Sequence, residues 1–196
     1  MVERIFYRDA DLLEPLFQEA YGSCEFSRAA ALQNIDTPFN PIQTTFALKE
    51  GAQYIGFINI WLDNDWYEID EYPMFYITAR LNCIFITEKY RSLNALKKFA
   101  EDAAELLVED YLFPMEWYRC SPDPVFDDDV EVPESGRSMV LSFDAEIHDE
   151  EHLVVFNAFR NSLTHSIYLM CHKSPVFYFE HQSIYAEDNV NCHFSY

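Results

Sequence analysis

The stretch "IFITEKYRSLNALKKF", residues 84–99, opens as a short run of β-branched and aromatic residues and closes as a helix, with Arg91 at the hinge. Ahead of it, "MFYITARLNCIFI" alternates so that Tyr76, Thr78, Arg80 and Asn82 share one strand face, and Phe75, Ile77, Ala79 and Leu81 the other. Behind it, Leu93, Leu96, Phe99, Ala100, Ala103, Leu106 and Leu107 form one helical stripe running to about Tyr111, and Pro114 bars its continuation. A strand that feeds a long helix makes a natural anion site, because the first helical amides lack partners and carry about half a positive charge. Glycines usually form such a hinge. Here Ser92 and Asn94 stand in their place.

Working outward, "ERIFYR" reads as a strand, and Asp9 to Tyr21 as a helix capped by Asp9 or Asp11 with Pro15 in its first turn. "SRAAALQNI" continues as a second helical piece, ended by the turn-rich "DTPFNPIQ". "TTFALKEGAQYIGFINIWLD" is a hairpin around "KEGAQ", and Gly56 within its second strand marks a bulge or a close backbone approach. "NDWYEIDEYP" reads as a loop. In the second half, "MEWYRC" and "SMVLSFDAEI" are expected strands on either side of an acidic loop at 121–136, and "HDEEHLVVFNAFRNSL" an expected helix. "HSIYLMCH" and "PVFYFEHQSIYAE" are expected to close the sheet as strands.

Composition bounds what such a chain can do. Its 196 residues suit one well-cored domain, and 49% apolar with 17% aromatic residues exclude wholesale disorder. Against 34 acidic residues stand 13 basic ones, and the formal net charge of -21 repels nucleic-acid phosphates and anionic membranes. That acidity suits solubility, or a protein partner met through the acidic surface. Five scattered cysteines without paired spacing point to reduced thiols in the cytoplasm, and no signal peptide or membrane-length apolar run is evident.

The element order resembles the GNAT family of acyl-CoA-dependent N-acetyltransferases, best over 2–111, with 112–196 divergent. The resemblance implies a single α/β domain, an acyl-CoA N-acyltransferase-like mixed sheet flanked by helices. It implies acetyl-CoA or another acyl-CoA as cofactor. The backbone of Ile84, Phe85 and Ile86 would pair with the pantetheine arm, and Arg91, Ser92, Asn94 and Ala95 would hold the pyrophosphate. Leu96 falls where a small residue is common, and Asn94 would preserve the turn by its tolerance of a left-handed backbone.

In that family a carboxylate on the strand before the long helix often accepts the amine's proton, because an ammonium cannot attack a thioester. The matching position here is Thr78. Its same-face neighbours Tyr76, Arg80 and Asn82 would line the acceptor side, where an arginine favours a carboxylate or phosphate over a bare cation. Glu68, Asp70 and Glu71 are candidate replacement acids, and Tyr168 is the match to a tyrosine that protonates the leaving thiolate. His148 and His152 could share a helical face as metal ligands, but two histidines in a capping region explain the same letters, and we expect no metal. The expected activity is acyl transfer to an unknown small-molecule or protein acceptor. The alternative is a non-catalytic acidic binding protein of the same fold, either a DNA-mimic inhibitor or a structural component.

Overall fold

The structure, a computed structural model, describes residues 1–21, 36–37, 42–69, 72–112, 138–147, 149–173 and 184–192. Seven strands form one sheet: β1 (Val2–Ile5), β2 (Asp36–Thr37), β3 (Ile42–Glu50), β4 (Gln53–Ile69), β5 (Tyr72–Ile86), β6 (Ser138–Ile147) and β7 (Ile184–Cys192). Their order is β1-β3-β4-β5-β6-β7, with β2 beside β3. Strands β1 to β5 pair antiparallel, whereas β5–β6 and β6–β7 are parallel. Parallel neighbours need long crossovers. The helices α2 (Leu93–Leu107) and α3 (Glu150–Lys173) lie in those two connections, while α1 (Glu14–Tyr21) follows β1 through a 3₁₀ segment. The α/β fold class expected from the sequence, a mixed sheet flanked by helices, is the fold observed.

The sheet separates two cores. Against α2 and α3 it buries Phe46, Ile58, Ile60, Leu62, Ile77, Ala79, Leu81 and Ile86 from β3–β5, with Leu141, Phe143, Ala145 and Ile147 from β6. The helices answer with Leu96, Phe99, Ala103 and Leu107 and with Phe156, Phe159, Leu163 and Ile167. Phe143 meets Phe156 edge-on at 6.2 Å, and each such fully buried side chain contributes about 1.5–3 kcal/mol. A smaller core on the opposite face joins α1 to Ile5, Ala47 and Phe57, with Cys83 and Phe85 at its margin.

The hairpin forms as expected, with Gly51 at positive φ in its two-residue turn. Gly56 satisfies both expectations: the register shifts beside it, and a Cβ there would lie 2.5 Å from the Phe85 carbonyl oxygen. Pro15 falls in the first turn of α1.

Three expectations are corrected. Residues 64–69 continue β4, which pairs with β5 down to Ile69↔Tyr72, so most of the expected loop is strand; Asp70 and Glu71 lie outside the described residues. Asp36 and Thr37, read as turn, bridge to β3. The expected strand at 165–172 is the second half of α3, because Leu163 and Ile167 extend the buried stripe of Phe156 and Phe159 at helical spacing. The expected helix "SRAAALQNI", the strand "MEWYRC", the acidic loop 121–136 and His148 lie outside the described residues.

Candidate functional site at the fork of the sheet

Strands β5 and β6 run side by side from Met74↔Ser138 to Arg80↔Asp144 and then part. Beyond that last rung β5 continues to Ile86 with β4 alone beside it among the described residues, while β6 stays with β7. The result is a fork that opens toward the start of α2. Just above its base β5 carries a bulge: Asn59 pairs with Cys83 and Ile60 with Leu81, leaving Asn82 as the extra residue.

Which backbone groups face the fork follows from alternation. The Thr87 amide donates to the Ile55 carbonyl at 2.9 Å, so Thr87 directs its polar groups toward β4, as does Phe85, whose oxygen abuts Gly56. Ile84 and Ile86 therefore direct theirs to the open side. Of the three residues expected to pair with a pantetheine arm, Phe85 is corrected, since its carbonyl and amide serve the sheet.

At the top of the fork Ser92 caps α2. Its backbone is extended, and its Oγ accepts from the Ala95 amide at 3.2 Å. The Ala95 donor is thereby taken, which corrects its expected role, and the Leu96 amide bonds to the Ser92 carbonyl. The amides of Leu93 and Asn94 have no partner among the described residues, and Ser92 retains its hydroxyl proton as a donor. Asn94 is helical and needs no left-handed backbone. Leu96 points into the core, 3% exposed, and so does not itself plug the mouth. Arg91 does not point freely outward: its guanidinium pairs with Glu151 in the first turn of α3, with both side chains partly exposed. No local pattern marks this partner, because the contact depends on where α3 begins.

Below the bulge, the polar face of the sheet opposite α2 and α3 presents Thr78, Arg80 and Asn82 with the buried Thr45 and Asn59. Asn82 donates to Asn59 Oδ1 at 2.8 Å, and Asn59 in turn donates to Thr45 Oγ1 at 2.9 Å and the Thr44 carbonyl at 3.2 Å. Arg80 Nε lies 3.7 Å from Asp144 Oδ2 at the base of the fork. Asp144 escaped the sequence reading; only the register of two parallel strands brings it there. Tyr76 pairs with Val140 in the same ladder.

Tyr168 is not on a strand but in α3, roughly 25 Å along the helix axis from Glu151 at about 1.5 Å per residue. The fold does not bring it to the mouth of α2. A hollow of about 530 Å³ between α2 and α3, lined by Lys97, Glu101, Asn157 and Ser162, is separate from the fork. No group of three metal-ligating side chains occurs among the described residues, nor any helix long and apolar enough to cross a membrane.

The fork, the bulge and the strand-to-helix mouth define a mixed α/β sheet that opens beside the start of α2. No family model and no curated protein matches the chain. Solved structures superpose on it in part. A ribosomal-protein-alanine N-acetyltransferase from Brucella melitensis biovar Abortus 2308 is 14% identical, covering 57% of this chain and 73% of its own at a TM-score of 0.37. An aminoglycoside acetyltransferase from an uncultured soil metagenomic sample, in complex with sisomicin, is 14% identical over 66% of this chain and 91% of its own, TM-score 0.36. Aminoglycoside N-acetyltransferase AAC(6')-Iy, in complex with CoA, is 10% identical over 83% of this chain and 85% of its own, again at 0.36.

Proposed function

We propose that the chain is an acyl-CoA-dependent N-acyltransferase that holds its cofactor along the open edge of β5. The observation that carries this is the end of β5–β6 pairing at Arg80↔Asp144, which leaves the Ile84 and Ile86 backbone groups without a strand partner on that side among the described residues, on the way to the start of α2. The donors fit the cofactor's two polar regions. Ile84 and Ile86 offer an alternating amide and carbonyl edge to the pantetheine amides. The Leu93 and Asn94 amides, the Ser92 hydroxyl and Arg91 offer donors to the diphosphate. Held by those groups, an acyl-CoA would supply an activated thioester carbonyl for transfer to an acceptor nitrogen, with the thiol as the leaving group and the nitrogen's proton passing to solvent.

A second reading is favoured by one contact. Glu151 already supplies an anion to Arg91, as in a protein that keeps the shape and binds a partner through its acidic surface. The magnitudes favour the ligand: a partly exposed ion pair contributes about 0–1 kcal/mol, less than the charge-assisted bonds a diphosphate would make at about 1.5–3 kcal/mol each. Isothermal titration of the protein with coenzyme A and acetyl-CoA decides between the two. Saturable heat is expected, and none at millimolar concentration would exclude acyl transfer.

A further inference from the structure

The ion pair at the base of the fork is not used in holding a cofactor. Arg80 and Asp144 are the last residues paired between β5 and β6, so their side chains stand where the strands begin to separate. Both are about a third exposed or more, at 41% and 34%. Their closest approach, 3.7 Å, exceeds hydrogen-bond length. Neither makes a hydrogen bond among the described residues. A guanidinium with five donors and a carboxylate with two acceptor oxygens therefore sit side by side, neither hydrogen-bonded to a described residue.

Both project from the face opposite α2 and α3, since Ala79, Leu81, Phe143 and Ala145 on either side of them are buried toward the helices. Asn82, exposed at the bulge, has its amide fixed on Asn59 and its own carbonyl oxygen left as an acceptor.

We infer that Arg80 and Asp144 form the acceptor subsite, and that it takes a small zwitterion, a primary amine that also carries a carboxylate; this rests on acyl transfer as the function only for what happens to the amine afterwards. A simple amine would gain Asp144 and meet the like charge of Arg80. A simple carboxylate would meet the reverse. A molecule bearing both groups inserts between the two, its carboxylate on the planar fork of Arg80 and its ammonium on Asp144, with the Asn82 oxygen as a further acceptor. The amine end then lies beside β6 at the base of the fork, toward which a thioester laid along Ile86 and Ile84 from the α2 mouth would reach.

The test is calorimetric titration of the full chain, with and without coenzyme A, using glycine, β-alanine and the standard L-amino acids, with propylamine and propionate as one-charge controls. Binding of at least one amino acid, and weaker binding of both controls, is expected. Arg80→Gln and Asp144→Asn should each weaken that binding by about tenfold or more while leaving the coenzyme A heat unchanged, and Arg80→Lys should restore part of it. No amino acid binding, propylamine binding as tightly as β-alanine, or undiminished binding by both variants would overturn the subsite. Absence of coenzyme A heat would remove acyl transfer alone, because the titrations without cofactor still judge the zwitterion site.

Discussion

Under the proposed function coenzyme A affinity would turn on Arg91, and its partner Glu151 sets the sign of the outcome. The pair holds Arg91 at the mouth of α2 but spends part of its positive charge. Glu151→Gln should tighten coenzyme A binding by up to about fivefold, the equivalent of the roughly 1 kcal/mol ceiling for an exposed pair. Arg91→Ala should weaken it by about tenfold or more. If neither change moves the calorimetric affinity, the diphosphate does not sit at this mouth. A second group of residues governs acid stability. Glu3 Oε1 accepts from Lys49 Nζ at 2.8 Å and from Tyr54 Oη at 2.5 Å, joining β1 to the hairpin. The Lys49 hydrogen bond, with that of Tyr54, holds the Glu3 carboxyl below its ordinary 4.5. A lowered acid pKa stabilises the fold above 4.5 and loses that contribution as pH falls through the folded value. Lys49 and Tyr54 are both raised, chiefly by their bonds to Glu3, so their contribution holds until pH climbs past about 10. Thermal unfolding from pH 6 to 3 should therefore fall more steeply for the native chain than for Glu3→Gln, which starts from a lower Tm at neutral pH. Parallel curves would show that the trio is not formed.

At the scale of elements, the β4–β5 contact at Gly56 is the tightest constraint on the fork. A methyl there would meet a backbone oxygen, which cannot rotate away as a side chain can. Gly56→Ala should cost about 1–3 kcal/mol, the usual penalty of overpacking, read as a lower urea midpoint; an unchanged midpoint would show that the strands separate freely. The local units were legible where one period dominated. The hairpin, the α2 stripe from Leu96 to Leu107 and the strand "SMVLSFDAEI" follow from periodicity alone, whereas the Ser92 cap was not read from the sequence and Leu93, expected in the stripe, is exposed. The second half of α3 did not, because "HSIYLMCH" has strand-like composition while Leu163 and Ile167 keep the helical interval from Phe159. That interval was in the sequence and outweighs composition once the stripe has a sheet to cover. The Arg80–Asp144 and Arg91–Glu151 contacts were not legible at any local scale, since each depends on the register or starting point of elements some sixty residues apart.

Across the whole molecule, a net charge of -21 opposes the ligand that the α2 mouth would attract. Coenzyme A is a polyanion, so approach from a distance is uphill, and only the last few ångströms, at Arg91 and the helix amides, are favourable. The two contributions respond differently to salt. Repulsion summed over the surface acts across many ångströms and is screened once the Debye length drops to about 10 Å near 0.1 M. Contacts at hydrogen-bond distance lie well inside that length and lose much less. Raising sodium chloride from about 0.01 to about 0.15 M should therefore tighten coenzyme A binding and speed association. A phosphate site in a basic surface behaves the opposite way, losing affinity as salt rises. The same salt step should raise the Tm of the free protein, because screened carboxylates repel one another less in the compact state. Affinity that falls steadily with salt while Tm rises would place the cofactor's anion in a basic patch elsewhere on the chain. Gains in both would locate it at the α2 mouth, where a small local attraction works against the field of the whole.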